Sequence, residues 1–249
     1  MNNYTISITT FSLRFNMLEK LISQIRQFTD KEVTICINGE LDEKFNEDYR
    51  KKMLQLCLRY ECIFPIFFTE MRGLSKMWNT LITLSSQENI LVLNDDLEIT
   101  SGEIFERLSN LNDDITLMKI NNSFSHFVIN RKILNKVGWF DERLLGFGEE
   151  DGDIIYRFLE KGINIQNLHV SGIINIVSDI RQNVKSGVGK YSLFNREFAF
   201  NEKYKKTDTF GIVGMFGEPH QKIIDDINIY PYEIFYWENK SKLVNKSIN

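Results

Sequence analysis

The apolar run "NILVLN" (89–94) ends directly in Asp95 and Asp96, and it constrains the fold more than any other stretch of the chain. Six residues with no alternation and β-branched content are the pattern of a strand buried on both faces, as in the interior of a parallel sheet. Three strand patterns precede it: "YTISITTF" (4–11), "EVTICIN" (32–38) and "CIFPIFF" (62–68). Between them lie three segments with helical spacing: "RFNMLEKLISQIRQF", "NEDYRKKMLQLCLRY" and "LSKMWNTLITLSS". Strand and helix thus alternate through the first hundred residues. The expected fold class is α/β, a Rossmann-like α/β/α sandwich around a mainly parallel mixed sheet.

The second half changes character. "SGEIFERLSNL" reads as a helix, and "DITLMKI" and "SHFVIN" as strands. "RKILNKVGWFDERLLGFGEEDGDIIYRFLEKG" runs from a short helix through a glycine-punctuated loop into a helix that begins near Glu150 and stops at Gly162. "INIQNLHVSGIINIVSDI" suggests two short strands, and the aromatic, charged remainder has no clear pattern. With no linker and no repeat, residues 1–205 are expected to form a single domain. Its halves are 1–100 and 101–205, and 206–249 is an extension packed on it.

A net charge of −4 argues against a broad basic face for nucleic acid. No apolar run reaches the ~20 residues of a membrane span, and no signal-peptide pattern opens the chain. Cys36, Cys57 and Cys62 form no CxxC pair, which fits thiols in a reducing cytoplasm. The tail "YPYEIFYWENKSKLVNK" mixes aromatic and basic residues, so peripheral membrane contact and a packed C-terminal segment both stay open.

In parallel sheets ligands lie beyond the carboxyl ends of the strands. The residues there are Thr10 and Arg14 after the first strand, Asn38 and Glu40 after the second, and Asp95 and Asp96 after the fourth. The acidic pair suits Mg²⁺ or Mn²⁺, which take one or two carboxylates together with phosphate oxygens; it equally suits a polar turn. Arg72 and Lys76 offer cations to a diphosphate or sugar. A second acidic cluster, "GFGEEDGD", places Glu149, Glu150, Asp151 and Asp153 at a helix start. The helix dipole stabilises one or two such charges. Four exceed that purpose, and a carboxylate in hydrogen-bond reach of a hydroxyl can act as a general base. Glu149 and Asp153 are expected to be solvated or capping, leaving Glu150 and Asp151 for chemistry.

These motifs resemble GT-A fold glycosyltransferases of the broad family 2 class, and the acidic loop is similar to that of β-1,4-galactosyltransferases. "NILVLNDDLEI" resembles the strand that delivers the family's DxD-type metal motif, with Asn94 where many relatives have Asp. "VINRKILNKVGWFDERLLGFGEEDGDIIYRF" resembles the pattern of Arg, hydrophobic helix, Gly-aromatic-Asp-Glu turn and acidic pair. "TTFSLR" and "RGLSKMWN" fall where such enzymes hold the nucleotide. The resemblance implies that Asp96 contacts metal and diphosphate, that Asp95 lies near ribose or sugar, and that Phe147 replaces a sugar-packing Trp. It also implies that Asp151 is the base and Glu150 a binder of hydroxyls. Relatives add a His metal ligand after this helix; by spacing the nearest candidate is Asp179, since His169 comes early and His220 late.

The implied activity is inverting transfer of a hexose from a nucleoside diphosphate sugar, UDP-galactose or another UDP-hexose. Its acceptor would be a glycan or lipid-linked glycan in bacterial surface polysaccharide synthesis. Such an enzyme is expected in the cytoplasm or at the inner face of the plasma membrane. Two other readings stay open: a sugar nucleotidyltransferase, and a non-catalytic sugar-nucleotide-binding subunit of an assembly complex.

Overall fold

The computed structural model describes residues 4–11, 14–39, 46–111, 115–176, 195–196, 202–207 and 220–222. The chain divides into two compact units, both discontinuous in sequence. The first comprises residues up to Met71, Thr80–Lys132 and the stretch beginning at Gln166; the second takes Arg72–Asn79, Ile133–Ile165 and the described residues beyond 179.

The first unit holds a seven-stranded sheet. Its first strands and helices are β1 (Tyr4–Thr10), α1 (Phe15–Ile25), β2 (Val33–Ile37), α2 (Glu47–Arg59) and β3 (Ile63–Phe67). After α3 (Leu74–Leu84) come β4 (Asn89–Asn94), β5 (Leu97–Ile99), α4 (Glu103–Ser109), β6 (Leu117–Ile120) and β7 (Ser123–Asn130). The strand order is β3-β2-β1-β4-β7-β6-β8, where β8 is Gln166–Leu168. β3, β2, β1 and β4 run parallel, β7 pairs antiparallel with both β4 and β6, and β8 returns parallel to β6. The sheet is therefore mixed and mainly parallel, as the strand patterns predict.

Every residue of β1, and all of β4 but Asn94, is buried. On one face Ile6, Ile8, Ile35, Leu91, Leu93 and Val128 share a core with α1, α2 and α4. The helices contribute one stripe each, such as Leu18, Leu21, Ile22 and Ile25 of α1. Each such side chain withdrawn from water is worth roughly 1.5–3 kcal/mol. Beside the sheet, β5 pairs antiparallel with β9 (Ile173–Asn175), and the Ile176 amide donates to the Asp96 carbonyl at 2.8 Å. That ribbon fixes the backbone just past β4. β5 is too short to leave a periodic signal and has no sequence pattern of its own, whereas β9 falls where a short strand is expected.

The second unit is built around α6 (Glu150–Glu160) and the loop that leads into it from α5 (Arg131–Val137), with a small ribbon of β10 (Tyr204–Lys206) and β11 (His220–Lys222). α6 begins and ends where its sequence signals place it. At its end Gly162 takes φ +65°, donates to the Leu159 carbonyl, and lets the Ile163 amide reach the Phe158 carbonyl at 2.9 Å. That pair of bonds is a Schellman motif.

Candidate active site

At the carboxyl edge of the first unit's sheet, β1 and β4 are parallel neighbours with Thr9 opposite Asn94, which sets Thr10 beside Asp95. Thr10 Oγ1 donates to Asp95 Oδ2 at 2.7 Å. Arg14, at the start of α1, reaches the same carboxylate through Nη1 at 2.7 Å and touches Asp96 Oδ2 at 3.2 Å. Burial pushes the Asp95 carboxyl up to about 6, against the pull of Arg14 and Thr10. Burial likewise opposes the Arg14 charge, but Asp95 and Asp96 outweigh it and raise its pKa. Both effects leave an ionised pair near neutral pH. Asn38 follows β2; its amide donates to the Thr10 carbonyl at 2.9 Å, and its Oδ1 accepts from the Gly39 amide at 3.1 Å. Gly39 is required there, because a Cβ would lie 2.5 Å from the Glu70 backbone.

One residue at this edge escaped sequence reasoning. His126 of β7 sits opposite Leu93, is 2% exposed, and has no hydrogen-bond partner for either ring nitrogen among the described residues. Burial pushes its pKa down to about 4, and the charge of Asp96 acts in the opposite sense. The available signal was a lone imidazole in an otherwise apolar strand, "SHFVIN", whose neighbour in the sheet is not apparent from the sequence.

In the second unit, two buried asparagines hold the loop before α6. Asn79 Nδ2 donates to the Phe140 carbonyl and to Glu142 Oε1, both at 2.9 Å, while its Oδ1 accepts from the Phe140 amide. Asn195 does the same for Leu145 and also donates to the Gly148 carbonyl at 2.8 Å. Gly146 and Gly148 take φ +56° and +119°. Glu149 follows at φ +74°, a left-handed conformation that costs a non-glycine residue about 1–3 kcal/mol. The two buried asparagines, with their amides satisfied, hold this strained turn in place.

The turn leads directly into the start of α6. Glu150 is buried, with Oε2 accepting from the Gly148 amide at 2.7 Å and Oε1 unpartnered among the described residues. Burial pushes its pKa up to about 8, helped by the charges of Asp151 and Glu149, so the carboxyl holds its proton at neutral pH. Asp151 is half-buried and accepts the Gly152 amide at 2.9 Å. Phe147 is half-buried in the preceding loop. Arg72 is buried, and Lys76 lies 3.5 Å from the Glu142 carboxylate. A Cβ on Gly73 would meet the Leu144 carbonyl at 2.7 Å, and the Leu74 amide donates to the Gly146 carbonyl at 2.6 Å.

Asp153 corrects an expectation. It is neither solvated nor a cap but 2% exposed, accepting from Arg157 at 2.7 and 3.0 Å, from the Tyr204 hydroxyl at 2.5 Å, and from Lys203. Lys203 also donates to Asp141 at 2.8 Å. Burial opposes ionisation of Asp141, yet Lys203 and Arg143 hold its pKa below the usual carboxylate range. Glu149 occupies the N-cap position without a side-chain capping bond and faces Arg196 at 3.3 Å. Glu40 and Asp179 lie outside the described residues.

The donor set at Asp96 suits a divalent cation: a buried carboxylate, with an orphaned imidazole within its field. Among the described residues no three His, Cys, Asp or Glu side chains gather into a complete ligand set. Mg²⁺ and Mn²⁺ do not require one when phosphate oxygens supply the remaining ligands.

Comparison with known proteins gives the family and the fold. The family described as glycosyltransferase like family 2 matches residues 70–199, just over half of the 249-residue chain. No curated protein matches the chain in sequence. The mannosyltransferase PcManGT from Pyrobaculum calidifontis, solved with GDP-Man and Mn²⁺, superposes with a TM-score of 0.59 at 10% identity. The match covers 77% of this chain but only 62% of that enzyme, less than two thirds of its length. S. aureus TarS 1–349, also solved with UDP, gives a TM-score of 0.54 at 13% identity, over 80% of this chain and 72% of that one. At such identities the likeness is one of fold, the GT-A fold. The family match runs through both acidic sites, and the chain belongs to glycosyltransferase-like family 2.

Proposed function

We propose that the chain is an inverting hexosyltransferase that moves a sugar from a nucleoside diphosphate donor to a glycan hydroxyl. The observation that carries this reading is the reach of the family match, which takes in Asp95 and Asp96 together with Glu150 and Asp151. The similar folds solved with GDP-Man and Mn²⁺ or with UDP support a nucleotide-sugar donor. The galactosyltransferase-like acidic loop favours UDP-galactose or a related UDP-hexose. The acceptor is taken to be a lipid-linked or capsular glycan of a bacterial surface polysaccharide, met at the inner face of the plasma membrane. No helix among the described residues is long and apolar enough to cross a membrane.

In this scheme Asp151, half-buried at the start of α6, accepts the proton of the acceptor hydroxyl. The freed oxygen attacks the anomeric carbon from the face opposite the diphosphate. The bond from that carbon to the diphosphate oxygen breaks, its electron pair leaves with the diphosphate, and the configuration inverts. Glu150, protonated near neutrality, is suited to donating a hydrogen bond to a sugar oxygen rather than to taking a proton. Asp96 is the residue to hold Mn²⁺ or Mg²⁺, which when bound supplies positive charge for the diphosphate. Thr10, Arg14 and Asn38 form the nucleotide end, with Arg14 orienting Asp95. Arg72 and Lys76 are assigned to the diphosphate or sugar, and Phe147 to an apolar face of the sugar.

The test is Asp151→Asn. Loss of a well-placed base costs about 10²–10⁴ in rate, so transfer should fall by that factor while UDP binding, measured by calorimetry, stays within a few-fold of wild type. Turnover close to wild type would assign the base elsewhere.

A further inference from the structure

We propose that His126 is a direct ligand of the divalent metal, binding it alongside Asp96 and favouring Mn²⁺ over Mg²⁺. The inference rests on the metal reading above and adds to it a residue on the far side of β4, in the antiparallel strand β7. Leu93 and His126 form the last pair of the β4–β7 ladder before the Asp95–Asp96 turn. His126 is 2% exposed, and neither Nδ1 nor Nε2 has a hydrogen-bond partner among the described residues. Asp96 is 5% exposed, and its charge acts on the ring.

A buried polar group left without a partner costs about 1–3 kcal/mol, and such groups are rare in folded proteins. A buried strand position between Ser125 and Phe127, paired with Leu93, would be served better by an aliphatic residue. An imidazole there makes sense if one ring nitrogen meets something absent from the protein alone. With the Asp95–Asp96 turn following closely on the strand residue it pairs with, that partner is the cation held at Asp96. Mg²⁺ prefers an all-oxygen shell, whereas neutral imidazole is the commonest side-chain ligand for transition metals. A ligand pair of one carboxylate and one imidazole, completed by diphosphate oxygens, selects Mn²⁺.

The experiment uses the full chain with UDP and Mn²⁺, labelled with ¹⁵N-histidine, and reads nitrogen coupling to the bound ion by pulsed EPR. The chain has only three histidines, so each can be assigned. Directly bound nitrogen should be seen in wild type, persist in the double variant His169→Gln/His220→Gln, and vanish in His126→Gln. His126→Gln should also weaken Mn²⁺ binding in the presence of UDP by about tenfold or more, with Mg²⁺ binding changed far less. Should His126→Gln fail to fold, the double variant decides, since His126 is then the sole histidine. Bound Mn²⁺ without nitrogen coupling in wild type, or coupling lost in the double variant, would overturn the assignment while leaving a metal at Asp96 intact. Failure of Mn²⁺ to bind with UDP at all would remove the metal reading and this one with it.

Discussion

Glu150 has one carboxylate oxygen on the Gly148 amide and the other without a partner among the described residues, at 4% exposure. Removing it from water disfavours the charged form, and its pKa rises from 4.5 to about 8. Between those two values the folded chain binds more protons at this position than the unfolded chain. Linkage then makes stability fall as pH rises through that window and level off above it. Glu150→Gln, which keeps the acceptor for Gly148, should therefore melt several degrees above wild type near about pH 9 and close to it near about pH 4. A melting difference independent of pH would contradict the burial argument. Asp153 is also buried, but it accepts hydrogen bonds from Arg157, Lys203 and Tyr204. Its removal takes a carboxylate from two buried cations, Arg157 and Lys203, so Asp153→Ala should cost about 3–5 kcal/mol in urea unfolding. A loss below about 1 kcal/mol, the value of an exposed pair, would show the network to be dispensable.

At the level of elements, the loop before α6 is held by side chains from distant parts of the sequence, Asn79 and Asn195, and by the close passage of Gly73 under Leu144. A methyl group at Gly73 meets a backbone carbonyl at 2.7 Å, which cannot swing aside as a side chain would. Gly73→Ala should lower the melting temperature by several degrees and reduce transfer, because the displaced segment carries Phe147 and leads into Glu150. Wild-type stability and turnover in this variant would show that the loop adjusts freely. The strands β1 to β4 and helices α1 to α3 were legible in the sequence because each has its own period, and α6 because acidic residues open it and Gly162 closes it. The two short strands expected in "INIQNLHVSGIINIVSDI" are β8 and β9, but β5 has no such period and the sequence does not announce that β5 and β9 pair. Their pairing is set by the turn after β4 and by Gly172, whose φ of +76° brings it against Ser101. The roles of Asp153 and His126 were illegible for a related reason. The partners of Asp153 include Lys203, fifty positions away, and His126 depends on which strand lies beside β7. Local pattern reports burial and period; it does not report which polar groups meet.

At the scale of the molecule, each unit presents a candidate site of its own. The first presents Thr10, Arg14, Asp95 and Asp96 at a sheet edge, the position where α/β folds hold nucleotides. The second presents the acidic start of α6. Residues 70–199, matched by the family, belong partly to each unit. The functional account stands or falls on turnover of a nucleotide sugar, and the most direct measurement is UDP release from UDP-hexoses, UDP-galactose first, with Mn²⁺. Release should stop with EDTA, rise when an acceptor glycan is added, and fall about 10²–10⁴-fold in Asp151→Asn. Binding of the UDP-sugars without release, or exchange of pyrophosphate into them in place of sugar transfer, would contradict it.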